Sequence, residues 1–130
     1  MTKEDHIQYW VTTSKHDWKR AELMFNSKEY AFSLFCLHLS IEKLAKASWV
    51  RDNEGNHPPR IHNLITLLSK TSFAATDEQL ELMNELNFFQ MEGRYPEHQM
   101  KIHKLAKAVY TKGLFQKSTE LKKCLLKSLR

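Results

Sequence analysis

Residues 28–51 constrain the fold more than any other part of the chain. Tyr30, Leu34, Leu37, Ile41 and Leu44 recur at three- and four-residue spacing, and Ala31, Phe35, His38, Glu42 and Ala45 make a second stripe beside them. This periodicity belongs to a helix. A helix apolar over so much of its circumference must be surrounded, so it is expected to be central, touching several neighbours or a second subunit.

The rest of the chain supplies those neighbours. Ile7, Trp10, Val11, Ser14, Trp18, Ala21 and Phe25 mark the buried face of a first helix over about 3–25. Thr2 caps it, and Glu4 and Asp5 suit the positive end of its dipole. Asn26-Ser27 breaks the pattern and offers the next cap, before the central helix over about 28–51. The polar loop 52–59 leads through Pro58-Pro59 into a short third helix with Ile61, Leu64, Ile65 and Leu68 inward. Thr76-Asp77-Glu78-Gln79 has the pattern of a capping box. It opens a fourth helix carrying Leu80, Met83, Leu86 and Phe89, which Gly93 stops. Pro96 restarts the chain in a fifth helix over about 97–112, ended by Gly113. Leu114, Ser118, Leu121 and Leu125 then form one side of an amphipathic tail, with Lys123, Lys127 and Arg130 on another. Strand signals and repeats are absent. The expected fold is all-α: an up-and-down bundle of about five helices plus a C-terminal helix. The 130 residues read as a single domain, with 114–130 its basic amphipathic helix.

At 42% hydrophobic, a chain of this length can bury a core without staples or metal. A net charge of +5 is compatible with a polyanionic partner without requiring one, and most of it lies in residues 117–130. Cys36 and Cys124 make no disulfide framework; Cys36, among Phe35, Leu37 and Leu39, reads as a small buried apolar residue. The N-terminal residues lack the apolar core of a secretory signal, and no apolar run approaches a membrane span. The expected location is the cytoplasm.

Three groups depart from plain bundle chemistry. His38, Glu42 and Lys46 stand four apart on one helix face, inviting either a solvated ion pair or a binding site. His-x-x-x-Glu supplies at most two metal ligands, and no Glu-x-x-His partner occupies a facing helix, so no metal is expected. Pro58-Pro59-Arg60-Ile61-His62-Asn63-Leu64 reads as a helix start, whose free N–H groups can hold an anion with help from Arg60 and His62. Arg94-Tyr95-Pro96 is a break where Arg94 can pair with phosphate and Tyr95 can stack on a base. No Gly-rich phosphate loop and no spacing-defined catalytic triad accompany them.

In order, these groups resemble a HEPN domain. The resemblance rests on Glu42-Lys43-x-x-Lys46-Ala47, on Pro59-Arg60-x-His62-Asn63-Leu64 and on Arg94-Tyr95-Pro96. Tyr9-Trp10, Ala21 and Tyr30-Ala31-x-x-Leu34-Phe35 extend it over roughly 7–112. It implies a bundle similar to the substrate-binding domains of nucleotidyltransferases, and a homodimer. It also implies nucleotide or RNA binding alongside a separate minimal nucleotidyltransferase, in a two-component, toxin–antitoxin-like system. Some members of the family are metal-independent ribonucleases carrying Arg-x(4–6)-His in a late helix. Here three residues separate Arg94 from His98 and eight separate it from His103, so the motif is missing. Arg51 and His57 have five between them but fall at the loop after the central helix.

The leading expectation is a binding module without cofactor. His38, Glu42, Lys43, Lys46, His62, Arg94 and Tyr95 would line its nucleotide site. Lys43, Lys46 and Arg94 would hold phosphates, and His38 and His62 would supply pH-sensitive hydrogen bonds. Glu42 would orient its neighbours or a ribose hydroxyl, and Tyr95 would stack on a base. The alternatives are a ribonuclease toxin and a non-catalytic dimeric interaction protein.

Overall fold

The computed structural model describes residues 1–130, which form six helices and no strand. They are α1 (Lys3–Asn26), α2 (Tyr30–Asp52), α3 (Leu64–Leu68), α4 (Asp77–Phe88), α5 (Pro96–Leu105) and α6 (Ala108–Ser128). The all-α bundle expected from the sequence is the fold observed. Every other helix packs against α2, whose Leu34, Leu37, Ile41, Leu44 and Ala45 are essentially inaccessible to solvent. Around them Leu64, Leu67, Met83, Leu86, Phe89, Ile102, Leu114, Leu121 and Leu125 complete one core.

The long antiparallel contact between α1 and α2 is set by residues at seven-residue intervals, all of them small except Ile7. Ile7, Ser14 and Ala21 on α1 run against Ala47, Ser40 and Ser33 on α2. Ser14 Oγ donates to Ser40 O at 2.7 Å, Ser40 Oγ donates to Ser14 O at 2.9 Å, and Ser33 Oγ donates to Ala21 O at 2.7 Å. Helix carbonyls retain a second lone pair, and these hydroxyls use it. The backbones must lie close for a serine to reach across, which excludes a bulky residue at these positions.

Both capping boxes form. Thr2 Oγ1 accepts from Asp5 N–H while the Asp5 carboxylate accepts from Thr2 N–H, and Thr76 and Gln79 do the same for α4. The other end of α2 is closed from α1. The Lys3 ammonium lies 2.7 Å from both Val50 O and Asn53 O, against carbonyls that no helix turn can satisfy.

Several sequence-derived boundaries shift. Asn26 and Ser27 do not cap α2. Its N-cap is Glu29, without a side-chain bond, and Lys28 makes the turn in the left-handed region at φ 63°. The third helix begins not after Pro59 but at Leu64, where Asn63 Oδ1 accepts from Ile65 and Thr66 N–H. Residues 58–63 are non-helical, so the expected anion-holding helix start is not there. Helix α4 ends at Phe88; Gly93 instead adopts φ 71° in the following turn. Gly113 terminates nothing. The break falls earlier, at Ala106 and Lys107, and α6 runs through Gly113 because its Thr111, Leu114, Ser118, Leu121 and Leu125 stripe stays buried. Burial of that stripe outweighs the roughly 1 kcal/mol cost of one helical glycine.

Candidate functional site

The polar residues of α2 converge with the segment before α3. Glu42 is the hub. Although it is only 3% exposed, its carboxylate has two partners: Oε1 is 3.0 Å from His62 Nδ1, and Oε2 accepts from Lys46 Nζ at 3.0 Å. Residues 61–63 are non-helical, and from that segment His62 reaches back over α2. His62 Nε2 meets a second carboxylate, Glu92 Oε2, at 3.2 Å. The half-exposed imidazole is thus clasped between a buried carboxylate and an exposed one.

Beneath this pair lies His38, fully buried. Its Nε2 is 3.2 Å from Asn87 Oδ1, which also accepts from Leu64 N–H at 3.0 Å. Oδ1 can only accept, so His38 donates there and carries its proton on Nε2. Nδ1 is then left without a partner, 3.9 Å from Glu42 Oε1. Burial holds His38 below the ordinary histidine range, against the opposing pull of Glu42 and the Asn87 bond. The Asn87 amide continues the chain by donating from Nδ2 to Asn63 Oδ1 at 3.2 Å. One network therefore runs from α2 through the α3 cap to α4.

Of the seven sequence-derived site residues, four come together here: His38, Glu42, Lys46 and His62. Arg94 borders the network through Asn87, donating from Nη2 to Asn87 O and from Nε to Gln90 O, both at 3.1 Å. Tyr95 is the N-cap residue of α5 and is 79% exposed, and its side chain makes no hydrogen bond. Lys43 departs from the expectation. One residue after Glu42 it emerges on another side of α2, where it pairs with the buried Asp17 of α1, which also holds Arg20 at 3.0 Å.

Sequence reading missed Asn87, Glu92 and Asp17. An asparagine or aspartate inside an otherwise ordinary helix carries no local signal. Trp10 was assigned to the buried face alone, yet the Lys46 ammonium lies 5.3 Å from its ring centroid, a cation–π geometry.

The histidines near Arg94 are placed differently from one another. His98 Nε2 donates to Phe88 O at 2.8 Å and its ring packs on Phe88. His103 lines a shallow depression with Arg94, Gln99 and Lys104. No helix is long and apolar enough to cross a membrane.

The chain is an all-helical bundle in which a buried glutamate joins one buried and one half-exposed histidine between the central helix and the following loop. The HEPN domain family profile matches residues 7–127, nearly the whole chain and including α6, and the chain belongs to that family. Membership supports a nucleotide- or RNA-related module. No curated protein and no solved structure matches the chain.

Proposed function

We propose that the chain is a nucleotide- or RNA-binding module that works as a homodimer. Its partner would be a separate minimal nucleotidyltransferase, in a two-component, toxin–antitoxin-like arrangement. His62, Lys46, Arg94 and Tyr95 make the ligand-facing edge, and His38 and Glu42 hold that edge in place from below. Lys43, engaged with Asp17, is left out of the set.

The observation that carries this reading is the Glu92 carboxylate on His62 Nε2. It marks a position where an anionic oxygen is already accommodated, by a side chain exposed enough to move away. A phosphate taking that place would find the Lys46 ammonium nearby, and two of the five Arg94 N–H groups already hold that guanidinium in position. Tyr95, exposed and without a side-chain hydrogen bond, would close over a base.

Calorimetry with nucleoside triphosphates tests the site. Wild type should bind, and Lys46→Ala and Arg94→Ala should each weaken binding about tenfold, the loss of one charge-assisted contact. Absence of heat with wild type, or undiminished binding by both variants, refutes it. Light scattering that returns a 15.4 kDa monomer refutes the dimer.

A second reading, a metal-independent ribonuclease, is favoured by one observation: Arg94 and His103 line the same depression. An imidazole there would take the 2′-hydroxyl proton while Arg94 offsets phosphorane charge. RNA left intact by the wild-type protein excludes it.

A further inference from the structure

The opposite flank of α1 carries a separate feature. Helices α1 and α6 both rest on α2, with their backbones apart and only long side chains such as Trp18 and Phe115 meeting between them. Between them runs a groove of about 360 Å³, within the roughly 300–1,000 Å³ of small-molecule sites. Its apolar surface is Val11 and Trp18 from α1, Leu44 from α2 and Leu126 from α6. Its rim is basic: Lys15 and Lys19 lie one helical turn apart on α1, and Lys122 faces them from α6. Glu22 is the only carboxylate lining it, and no carboxylate lies within ion-pair distance of any of the three lysines.

Lys122 bridges the gap. Its ammonium sits 3.8 Å from the centroid of the Trp18 ring, which also meets the Phe115 ring edge-to-face at 5.7 Å. A cation on an aromatic face is a weak substitute for a carboxylate. Partial burial and the nearby Lys123 hold Lys122 below the ordinary lysine range, although Glu22 pulls the other way. An arriving acid group would supply the missing counter-charge.

We propose that the α1–α6 groove binds a small amphiphilic anion, with its apolar body on Val11, Trp18, Leu44 and Leu126 and its acid group on Lys122, Lys15 and Lys19. The lining itself argues against a nucleotide here. Ser14 is the one hydroxyl in the groove, and it is bonded to Ser40. Beyond Glu22 and the three lysines that an acid group would engage, nothing remains to satisfy the edges of a base, and unpaired polar edges are what such a lining rejects. Lys122 already covers one face of the Trp18 ring, and Phe115 packs on the same ring.

The probe is 8-anilinonaphthalene-1-sulfonate, an aromatic body with one sulfonate, read by its own emission and by the three tryptophan indole N–H resonances. It should bind the folded protein, move the Trp18 indole peak and leave that of Trp49, which packs on Gly55, in place. Dodecanoate should displace it, dodecanol should displace it at least tenfold less well, and ATP should not. Lys122→Met keeps the stem on Trp18 and should weaken probe and dodecanoate about tenfold with an unchanged circular dichroism melt. Lys15→Ala/Lys19→Ala, at exposed positions, repeats the test should Lys122→Met melt early. The proposal is overturned by no binding to wild type, which is also the result if a second copy of the chain covers the groove. Displacement by ATP as effective as by dodecanoate, or equal affinity in the folded lysine variants, overturns it as well.

Discussion

Glu42 Oε1 stands 3.0 Å from His62 Nδ1, and by that contact a buried carboxylate on α2 fixes a half-exposed imidazole that belongs to no helix. The two are 20 residues apart in sequence. Between them the chain makes a polar loop with two prolines and stays non-helical up to Asn63, and the ring returns to α2. The geometry joins a fold-determining element to a surface edge, which is why a change at Glu42 should act on both stability and binding.

Replacing Glu42 separates its two tasks. Glu42→Ala leaves Lys46 and His62 without their shared acceptor and should destabilise by about 3–5 kcal/mol, the cost of breaking a buried charged pair. Glu42→Gln keeps the volume and one acceptor oxygen but turns an N–H donor toward one of two donors, and should cost about 1–3 kcal/mol. Urea unfolding followed by circular dichroism ranks the two; equal losses would mean that the charge on Glu42 contributes nothing.

His38 should make stability fall as the pH drops from neutrality through about 6.5. In the unfolded chain its imidazole takes a proton near the ordinary value of 6.5, whereas burial lowers that value in the folded state. Between the two values the unfolded chain binds more protons, so stability rises with pH and falls on acidification through 6.5. Glu42 and Lys46 on α2, His62 from the loop and Asn87 on α4 are the charged and polar groups around it. Asp52, held well below the usual carboxylate range chiefly by Arg51, is ionised throughout this window and adds no slope. His38→Gln should flatten the melting temperature against pH below 6.5; an unchanged slope would show that His38 is not its cause.

Lys28 occupies the left-handed region at φ 63°, where a side chain is disfavoured. The turn is otherwise well bonded, with Lys28 N–H on Phe25 O at 2.9 Å and Glu29 N–H on Met24 O at 2.8 Å. Lys28→Gly should therefore stabilise by up to about 1 kcal/mol, less the entropy that glycine adds to the unfolded chain. A fall in the denaturant midpoint would show that the lysine stem packs usefully on its neighbours.

The parts of this architecture that sequence made legible are those with strong local causes. The stripes of α2 place it at the centre, Thr2 and Thr76 announce two helix starts, and Leu114, Ser118, Leu121 and Leu125 mark the inner side of α6. What stayed hidden depends on distant partners. Gly113 looks like a stop, but a glycine stops a helix only where the chain needs to leave it, and here the buried stripe continues. Ala106 and Lys107, where the chain does turn, carry no glycine or proline. In the site, Glu42, Lys46 and His38 were visible from their spacing. Asn87 was not, because its role comes from meeting His38 and Leu64 across the bundle. The departure of Lys43 has a simpler cause. Adjacent helix residues point about 100° apart, so Glu42 and Lys43 cannot both face one site.

The serine pair at the α1–α2 seam gives a final prediction. Ser14 and Ser40 each reach the other's backbone carbonyl, and their Oγ atoms are 3.1 Å apart. Removing one hydroxyl by Ser40→Ala leaves the helix carbonyl of Ser14 in its ordinary backbone bond, so the loss should be about 1 kcal/mol. Enlarging the same site is different in kind. Ser40 is wholly buried and the helices touch there, so Ser40→Leu must push α1 away from α2. That disturbs Ile7 with Ala47 at one end and Ala21 with Ser33 at the other, which lie on the same seam. The cost should reach at least about 3 kcal/mol, the upper part of the overpacking range. Helix packing rather than lost hydrogen bonding would then govern the seam. The comparison is made by chemical denaturation of Ser40→Ala, Ser40→Leu and Ser14→Ala/Ser40→Ala. The double variant should lose clearly less than twice the single, since the two hydroxyls belong to one reciprocal arrangement. A Leu variant no less stable than the Ala variant would show that α1 can shift along α2 without penalty.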